Sequence, residues 1–178
     1  MQTPRPRCSV FIAVSLDGYI ARPDGGIDWL HSVDMPGEDY GYNAFFESVD
    51  VVLLGRNSYD VVLGFSEWYY GDKRCVVLTH RPGESRHGEE FYSGDVKELV
   101  QQLAESGVRR IYVDGGKVIQ QFLDEKLIDD LTISVIPILL GDGIRLFASG
   151  SPEQRLVLEG TQSWSSGLTQ LRYRVETP

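Results

Sequence analysis

The feature that most restricts the fold of this chain is the alternation of short apolar runs with segments of helical periodicity. Runs rich in β-branched and other apolar residues occupy 8–14, 50–54, 74–78, 110–113 and 131–136. Most are nearly continuous in apolar character, which is typical of strands covered on both faces. Helical patterns fall between them, at 38–48, 57–63, 95–105 and 116–125. The order predicts an α/β fold with a mostly parallel central sheet and helices on both faces.

The tail of the chain has a different period. Residues 155–164 and 168–176 alternate apolar and polar side chains around Ser165, Ser166 and Gly167. That pattern predicts an antiparallel C-terminal hairpin with one wetter face. With 178 residues and no linker-like stretch, we expect a single domain over 1–178.

Composition excludes several classes of protein. The net charge of −9 makes nucleic acid an improbable partner. Cys8 and Cys75 are far apart and have no CxxC spacing, so we expect neither a zinc site nor a disulfide framework, and no other metal. Polar residues Ser15 and Asp17 interrupt the first apolar run, so we expect no signal peptide, no membrane span and a cytoplasmic protein.

Three strands end in turns suited to an anionic ligand, at the carboxyl edge where open α/β sheets bind ligands. Each turn also has a simpler interpretation: a helix start with a solvated arginine, a polar turn before proline, and a tight glycine turn. Free amides at the helix starts would favour a phosphate. The turns comprise Gly55, Arg56, Asn57 and Ser58; Thr79, His80 and Arg81; and Asp114, Gly115, Gly116 and Lys117.

The ordered motifs identify a resemblance that spans about 8–176. They are SLDGYIA, GGIDW, LLGRNSY, VLTHRP, YVDGGKVIQQFL and LTISVIPILLGDGIRLF. Their order and spacing resemble the dihydrofolate-reductase-like superfamily, closest to the reductase domain of riboflavin-biosynthesis enzymes and its stand-alone bacterial relatives. The resemblance implies a three-layer sandwich and NADPH as cofactor.

The resemblance also implies roles for individual residues. Ala13 and Ile20 would line the nicotinamide, and the segment 15–30 would form a mobile loop over it. Thr79, His80 and Arg81 would meet the 2′-phosphate that distinguishes NADPH from NADH. The diphosphate would lie on Gly55, Arg56, Asn57, Ser58, Gly115, Gly116, Lys117, Val118 and Ile119.

The candidates for substrate contact and proton transfer are acidic or aromatic. Asp17 either contacts substrate or caps its turn, and Trp29 belongs to the loop tryptophan motif of the superfamily. Asp34 follows Trp29 at a spacing that suits a catalytic carboxylate, although Met35-Pro36-Gly37 place it before the helix.

Glu38 and Asp39 are expected in the first turn of the helix 38–48, where a carboxylate also stabilises a helix start. Asp39 would share an inward face with Tyr42 and Phe46, which makes it the favoured proton source. Asp114 puts an anion beside the glycine turn, where it either weakens phosphate binding or faces the substrate.

We therefore expect an NADPH-dependent oxidoreductase that transfers a hydride to a pyrimidine- or pterin-like heterocycle, most simply of the riboflavin-pathway reductase type. One alternative is a dihydrofolate reductase, and another is a non-catalytic nucleotide-binding protein on the same fold. The chain lacks the HxE and PCxxC signatures of a zinc deaminase. A small heterocyclic substrate and a homodimer are the expected partners.

Overall fold

The computed structural model describes residues 4–176 and contains an eight-stranded sheet covered on both faces. The strand order is β5-β4-β3-β6-β1-β7-β10-β9, with a separate β2-β8 pair. The strands are β1 Arg7–Ser15, β2 Tyr19–Ala21, β3 Val51–Gly55, β4 Arg74–Leu78, β5 Glu90–Tyr92, β6 Arg110–Asp114, β7 Asp130–Ile136, β8 Ile144–Arg145, β9 Leu156–Ser163 and β10 Thr169–Val175. The helices are α1 Tyr42–Glu47, α2 Arg56–Leu63, α3 Val96–Glu105 and α4 Gly116–Asp124, with a 3-10 helix at Asp28–Val33.

The predicted sheet architecture is confirmed. The first six strands in this order, β5-β4-β3-β6-β1-β7, pair in parallel, and β10 pairs antiparallel with both β7 and β9. Strands β3 and β6 lie inside the sheet and are buried on both faces, which explains their unbroken apolar runs. Asp95 caps α3 by accepting hydrogen bonds from two backbone amides, and Gly107 follows that helix at φ +89°.

Helices α3 and α4 pack on one face of the sheet, with Phe122 and Leu103 among its deepest side chains. Helices α1 and α2 pack on the other face around Tyr59, Tyr70 and Tyr112. A third cluster lies on that second face and joins the 3-10 helix to β7 and the start of β10. The result is a three-layer sandwich, as the resemblance implies.

The helix predicted at 38–48 is wrong at its start. It begins at Tyr42, because Tyr40 and Gly41 have φ values of +55° and +84° and form a turn. The predicted loop 15–36 contains β2 and the 3-10 helix, and the prediction also missed β5 and β8. These three strands have only two or three residues each, too few to show a period.

Candidate functional site

Two glycine turns interlock at the carboxyl edge of the sheet. They follow the adjacent strands β3 and β6, whose ends are in register at Leu54 and Asp114. A Cβ at Gly115 would collide with Ser58 Oγ, and one at Gly55 would lie 3.2 Å from Val118 Cγ2. The backbone at this point therefore depends on glycine, both for the close approach and for the φ of +89° at Gly115.

The two helices that leave these turns present free backbone amides. Neither α2 nor α4 has a side-chain cap at its N-terminus. The first amides of a helix have no carbonyl partner inside the helix, so two such ends side by side form an anion site. Asn57 and Lys117 are exposed in the respective first turns.

Ile119 departs from the implied cofactor set. Its side chain is fully buried in the core, and its amide donates to the carbonyl oxygen of Gly115 at 2.9 Å. Neither group is available to a ligand. Val118 is also buried and packs on Gly55, so its contribution is limited to its backbone amide and to the shape of the turn.

A third turn lies beside the first. Arg56 Nη1 donates to the carbonyl oxygen of Arg81 at 2.7 Å, and Thr79 Oγ1 accepts from the Arg81 amide at 3.1 Å. The ring of His80 is hydrogen-bonded to Ser93 Oγ at 2.9 Å. The Thr79 hydroxyl, the His80 imidazole and the Arg56 guanidinium, which also pairs with Asp60 Oδ1 at 2.9 Å, thus lie around this turn, and such groups suit a phosphate monoester.

The residues implied for the nicotinamide lie on the other side of the glycine turns. A Cβ at Gly116 would lie 2.9 Å from Ile20 Cδ1, so β2 runs directly over the start of α4. Ala13 is half-buried on β1 and packs against the cluster that contains Trp29. The residues implied for the cofactor therefore lie in one line, which runs from the turn at Arg81 across both glycine turns to Ile20.

A seam between two apolar clusters lies next to this line. On the α1 face of the sheet, Phe11 packs with the α1–α2 cluster, whereas Ala13, two residues later on β1, packs with the Trp29 cluster. Asp114 ends the neighbouring strand β6. The seam thus lies towards the carboxyl ends of β1 and β6, the edge at which open α/β sheets bind ligands.

Asp114 is a titratable group at this seam with a shifted acidity. Its Oδ2 accepts from the Tyr70 hydroxyl at 3.0 Å, and its Oδ1 accepts from the Gly115 amide at 2.9 Å. Burial raises the pKa of Asp114, and these hydrogen bonds only partly oppose the rise. A carboxyl group that keeps its proton to higher pH is suited to general acid catalysis.

The predicted geometry of Asp39 is wrong. Asp39 lies ahead of α1, exposed, and does not share an inward face with Tyr42 and Phe46. Its two carboxylate oxygens accept from the amides of Gly41 and Asn43, and these hydrogen bonds lower its pKa. A group held in its ionised form at a helix start is poorly suited to donate a proton.

The other two carboxylates also have structural partners. Glu38 is not in a helical turn: it accepts from the Tyr40 amide at 2.7 Å and from the indole of Trp164 at 3.1 Å. Asp34 is exposed, and its Oδ2 is hydrogen-bonded to the Nδ1 of His31 at 2.8 Å. Neither points a free carboxyl group into the seam.

The two predicted substrate contacts occupy structural positions. Asp17 accepts from Ser15 Oγ and from the amides of Leu140 and Gly141, so its carboxylate ties the SLDG turn to the loop after β7. Trp29 is buried, and its indole donates to the carbonyl oxygen of Gly26 at 3.3 Å. Trp29 thus belongs to the cluster on the Ala13 side of the seam, and Asp17 fixes the turn after β1.

The family-model comparison matches residues 6–169 to the RibD C-terminal domain. The chain belongs to the RibD C-terminal domain family. It is 38% identical to the uncharacterized protein YwjB of Bacillus subtilis (strain 168), over 92% of this chain and 95% of YwjB.

Solved structures share the fold of this family member. A crystal structure of a Shewanella sp. PV-4 protein named after riboflavin biosynthesis matches with a TM-score of 0.90 and 38% identity, over 96% of this chain and 99% of that one. Dihydrofolate reductase from Enterococcus faecalis, complexed with NADP(H), matches with a TM-score of 0.65 and 17% identity, over 96% and 97% of the two chains. The second likeness shows the dihydrofolate-reductase-like fold.

A buried carboxylate organises the loop beside the Arg81 corner in this family member. Glu89 is 4% exposed and accepts from the Tyr59 hydroxyl and from the amides of Arg86 and His87. Burial opposes ionisation, but these hydrogen bonds prevail and lower the pKa of Glu89 to about 2. Because Tyr59 belongs to α2, this contact fixes the loop 85–89 to the helix that carries Arg56.

Sequence reasoning missed the tyrosines around Asp114. Tyr69 and Tyr70 follow α2 in an irregular segment, where no periodicity indicates a shared site. The signal present in the sequence was a pair of adjacent tyrosines in a glycine-flanked loop.

Among residues 4–176, no helix is long and apolar enough to cross a membrane.

Proposed function

We propose that this protein is an NADPH-dependent reductase of the riboflavin-pathway type, acting on a pyrimidine- or pterin-like heterocycle. The observation that carries the proposal is the pair of interlocked glycine turns. They present two uncapped helix N-termini beside the Arg56–Arg81 corner. That arrangement fits a diphosphate with a phosphate monoester at one end.

The residues fit the cofactor group by group. The free amides after Gly55 and Gly115 would hold the diphosphate, and Thr79, His80 and Arg81 would meet the 2′-phosphate. Ile20, over Gly116, would support the nicotinamide ring. When bound, NADPH supplies the hydride for reduction of a C=N or C=O bond.

The residues of the chain supply the proton and the dry environment. Asp114, with its raised pKa, is placed to donate a proton to the atom that gains negative charge. Tyr70 holds the carboxyl group through its hydroxyl. The aromatic side chains around Asp114 limit its contact with water, which favours a local proton transfer. This geometry favours Asp114 over Asp39, Glu38 and Asp34.

Binding and turnover measured separately test the proposal. NADPH should bind more tightly than NADH, and NADPH absorbance should fall when a heterocycle from a pterin and pyrimidine panel is added. Equal affinity for the two cofactors would remove the 2′-phosphate assignment. Saturable NADPH binding without turnover of any panel member would favour the non-catalytic nucleotide-binding alternative. Dihydrofolate reduction gains no support from Asp34, since that carboxylate is exposed and paired.

A further inference from the structure

Tyr70 binds the carboxyl group of Asp114 from a distant part of the chain. Its hydroxyl donates to Asp114 Oδ2 at 3.0 Å, while Oδ1 accepts from the Gly115 amide at 2.9 Å. The Gly115 amide belongs to the next residue, so that hydrogen bond comes with the turn itself. The hydrogen bond from Tyr70 joins residues 44 positions apart. The orientation of the carboxyl group therefore depends on a side chain from the segment after α2.

Tyr70 is itself held on several sides. It is 1% exposed, and its ring centroid lies 5.1 Å from Tyr69, 5.5 Å from Trp68 and 6.4 Å from Phe46. Its carbonyl oxygen accepts from the Lys73 amide at 3.0 Å. A ring packed in this way has few alternative positions, so its hydroxyl acts as a donor at a fixed place.

Tyrosines from three parts of the chain face Asp114. They are Tyr42 from α1, Tyr69 and Tyr70 from the segment after α2, and Tyr112 from β6. Burial, the largest cause in each case, raises the pKa of all four hydroxyls, so they keep their protons. Within 4–176, no lysine, arginine or histidine forms a salt bridge with Asp114. Hydrogen bonds, rather than charges, therefore oppose the effect of burial on this carboxyl group.

The hydrogen bond from Tyr70 limits how tightly Asp114 holds its proton. Burial raises the pKa of Asp114, and the Tyr70 hydroxyl leads the groups that lower it, ahead of the Gly115 amide and Tyr112. A hydroxyl donates more strongly to a carboxylate than to a neutral carboxyl group, so this bond favours the ionised form. A general acid works best when its pKa lies near the operating pH. An acid that holds its proton too tightly transfers it slowly.

We propose that Tyr70 is the positioning residue of the proton donor: it holds the carboxyl group of Asp114 in one orientation and keeps its proton transferable. The catalytic part of this inference rests on the proposed function, in which Asp114 donates the proton. Because Tyr70 is buried, it acts through Asp114. The segment that carries it, between α2 and β4, lies outside every motif that indicated the family.

Carbon-13 NMR of the carboxyl groups tests the inference without cofactor or substrate. The full chain is labelled at its aspartate carboxyl carbons, and the Asp114 signal is identified by its loss in Asp114→Asn. Tyr70→Phe removes the hydroxyl and keeps the ring. The pH midpoint of the Asp114 signal should then rise by about one to two units, the shift expected from losing a hydrogen bond to a charged group.

Tyr59→Phe is the matched control. Tyr59 belongs to the same aromatic cluster and is also buried, but its hydroxyl donates to Glu89. The substitution removes a buried hydrogen bond of the same kind, and the Asp114 midpoint should stay at its wild-type value. Site-specific replacement of Tyr70 by 3-fluorotyrosine tests the opposite direction. Its more acidic hydroxyl donates more strongly, so the Asp114 midpoint should fall.

The pH profile of kcat supplies the catalytic readout. In Tyr70→Phe, the alkaline limb of kcat should move to higher pH by the same amount as the NMR midpoint, and the plateau kcat should fall severalfold. The KM for the heterocycle and the Kd for NADPH should change little. A merely structural role would lower stability or raise KM without moving the limb.

The outcomes separate this inference from the proposed function. An unchanged or lowered Asp114 midpoint in Tyr70→Phe overturns the inference, and so does an equal rise in Tyr59→Phe. A kcat limb that stays in place while the midpoint moves also overturns it. If the wild-type chain binds no NADPH or turns over no heterocycle, the proposed function fails, while the NMR midpoints still decide whether Tyr70 controls the proton of Asp114.

Discussion

Replacing Asp114 with asparagine is the sharpest test of the proposed chemistry. The substitution keeps the size of the side chain, and the asparagine oxygen can still accept from the Gly115 amide. It removes the transferable proton. General acid catalysis contributes about 100- to 10,000-fold to a rate. We therefore expect kcat to fall by that factor, or about 3–5 kcal/mol in the barrier at 1.36 kcal/mol per tenfold.

The pH dependence of activity gives the same prediction a second readout. Wild-type kcat should decline as pH rises through the raised pKa of Asp114, because the carboxyl group loses the proton it donates. The Asp114→Asn variant should show no such limb. NADPH affinity should change little, since the side chain is directed at the tyrosine cluster, and calorimetric titration with NADPH checks this.

The Asp114→Asn substitution should lower activity but keep or raise folding stability at neutral pH. A carboxyl group whose pKa is raised in the folded protein binds more protons folded than unfolded, so stability falls as pH rises from the ordinary carboxyl range through the raised pKa. The neutral asparagine lacks this loss. Chemical denaturation at neutral pH should show the variant as stable as wild type or more so, which separates catalysis from unfolding.

Asp39→Asn is the matched control, because the same substitution at an exposed helix start keeps the capping oxygen. We expect kcat within about twofold of wild type, since general acid assistance is not removed. Steady-state kinetics on a heterocycle that the protein turns over compares the two variants. Wild-type kcat in Asp114→Asn, or an equal loss of activity in Asp39→Asn, would contradict the role of Asp114 as proton donor.

Four further predictions concern the cofactor edge and assembly. Gly115→Ala should raise the NADPH dissociation constant more than tenfold and lower Tm by several degrees. Gly107→Ala is the control, because Gly107 has the same φ of +89° but an added Cβ would meet no atom within 4 Å, so it carries only the backbone strain of about 1–2 kcal/mol. Arg81→Ala should cost about 1–3 kcal/mol of NADPH binding and leave NADH unchanged in calorimetry. Glu89→Gln should lower the free energy of unfolding by about 1–3 kcal/mol at neutral pH. Because the pKa of Glu89 is depressed to about 2, the stability that its carboxylate contributes should be lost as pH falls from about 4.5 through 2. An acid titration followed by circular dichroism should therefore show a shallower decline in the variant. The sheet ends at β9, with Leu156 and Leu158 exposed, so light scattering should give a homodimer mass; a monomer would contradict edge pairing.

Local sequence patterns specify the framework of this protein. Local patterns are sufficient for the buried strands, for α3 with its Asp95 cap, and for the hairpin turn at Gly167, because each depends on residues close together in the chain. The glycine turns were also visible, since Gly55 and Gly115 follow apolar strands directly. Their order along the chain was enough to indicate the superfamily.

Contacts between distant parts of the chain set where α1 begins and which carboxyl group faces the seam. The turn at Tyr40 is held by hydrogen bonds from its hydroxyl group to Val33 and with Ser166, and Glu38 accepts from Trp164, 126 residues away. Helical periodicity carries no information about such distant partners. Asp114 gains its raised pKa in the same way, from burial against residues of α1 and of the segment after α2. Acidity of this kind is a property of the packed environment, and the packed environment exists only once the sheet has brought those segments together.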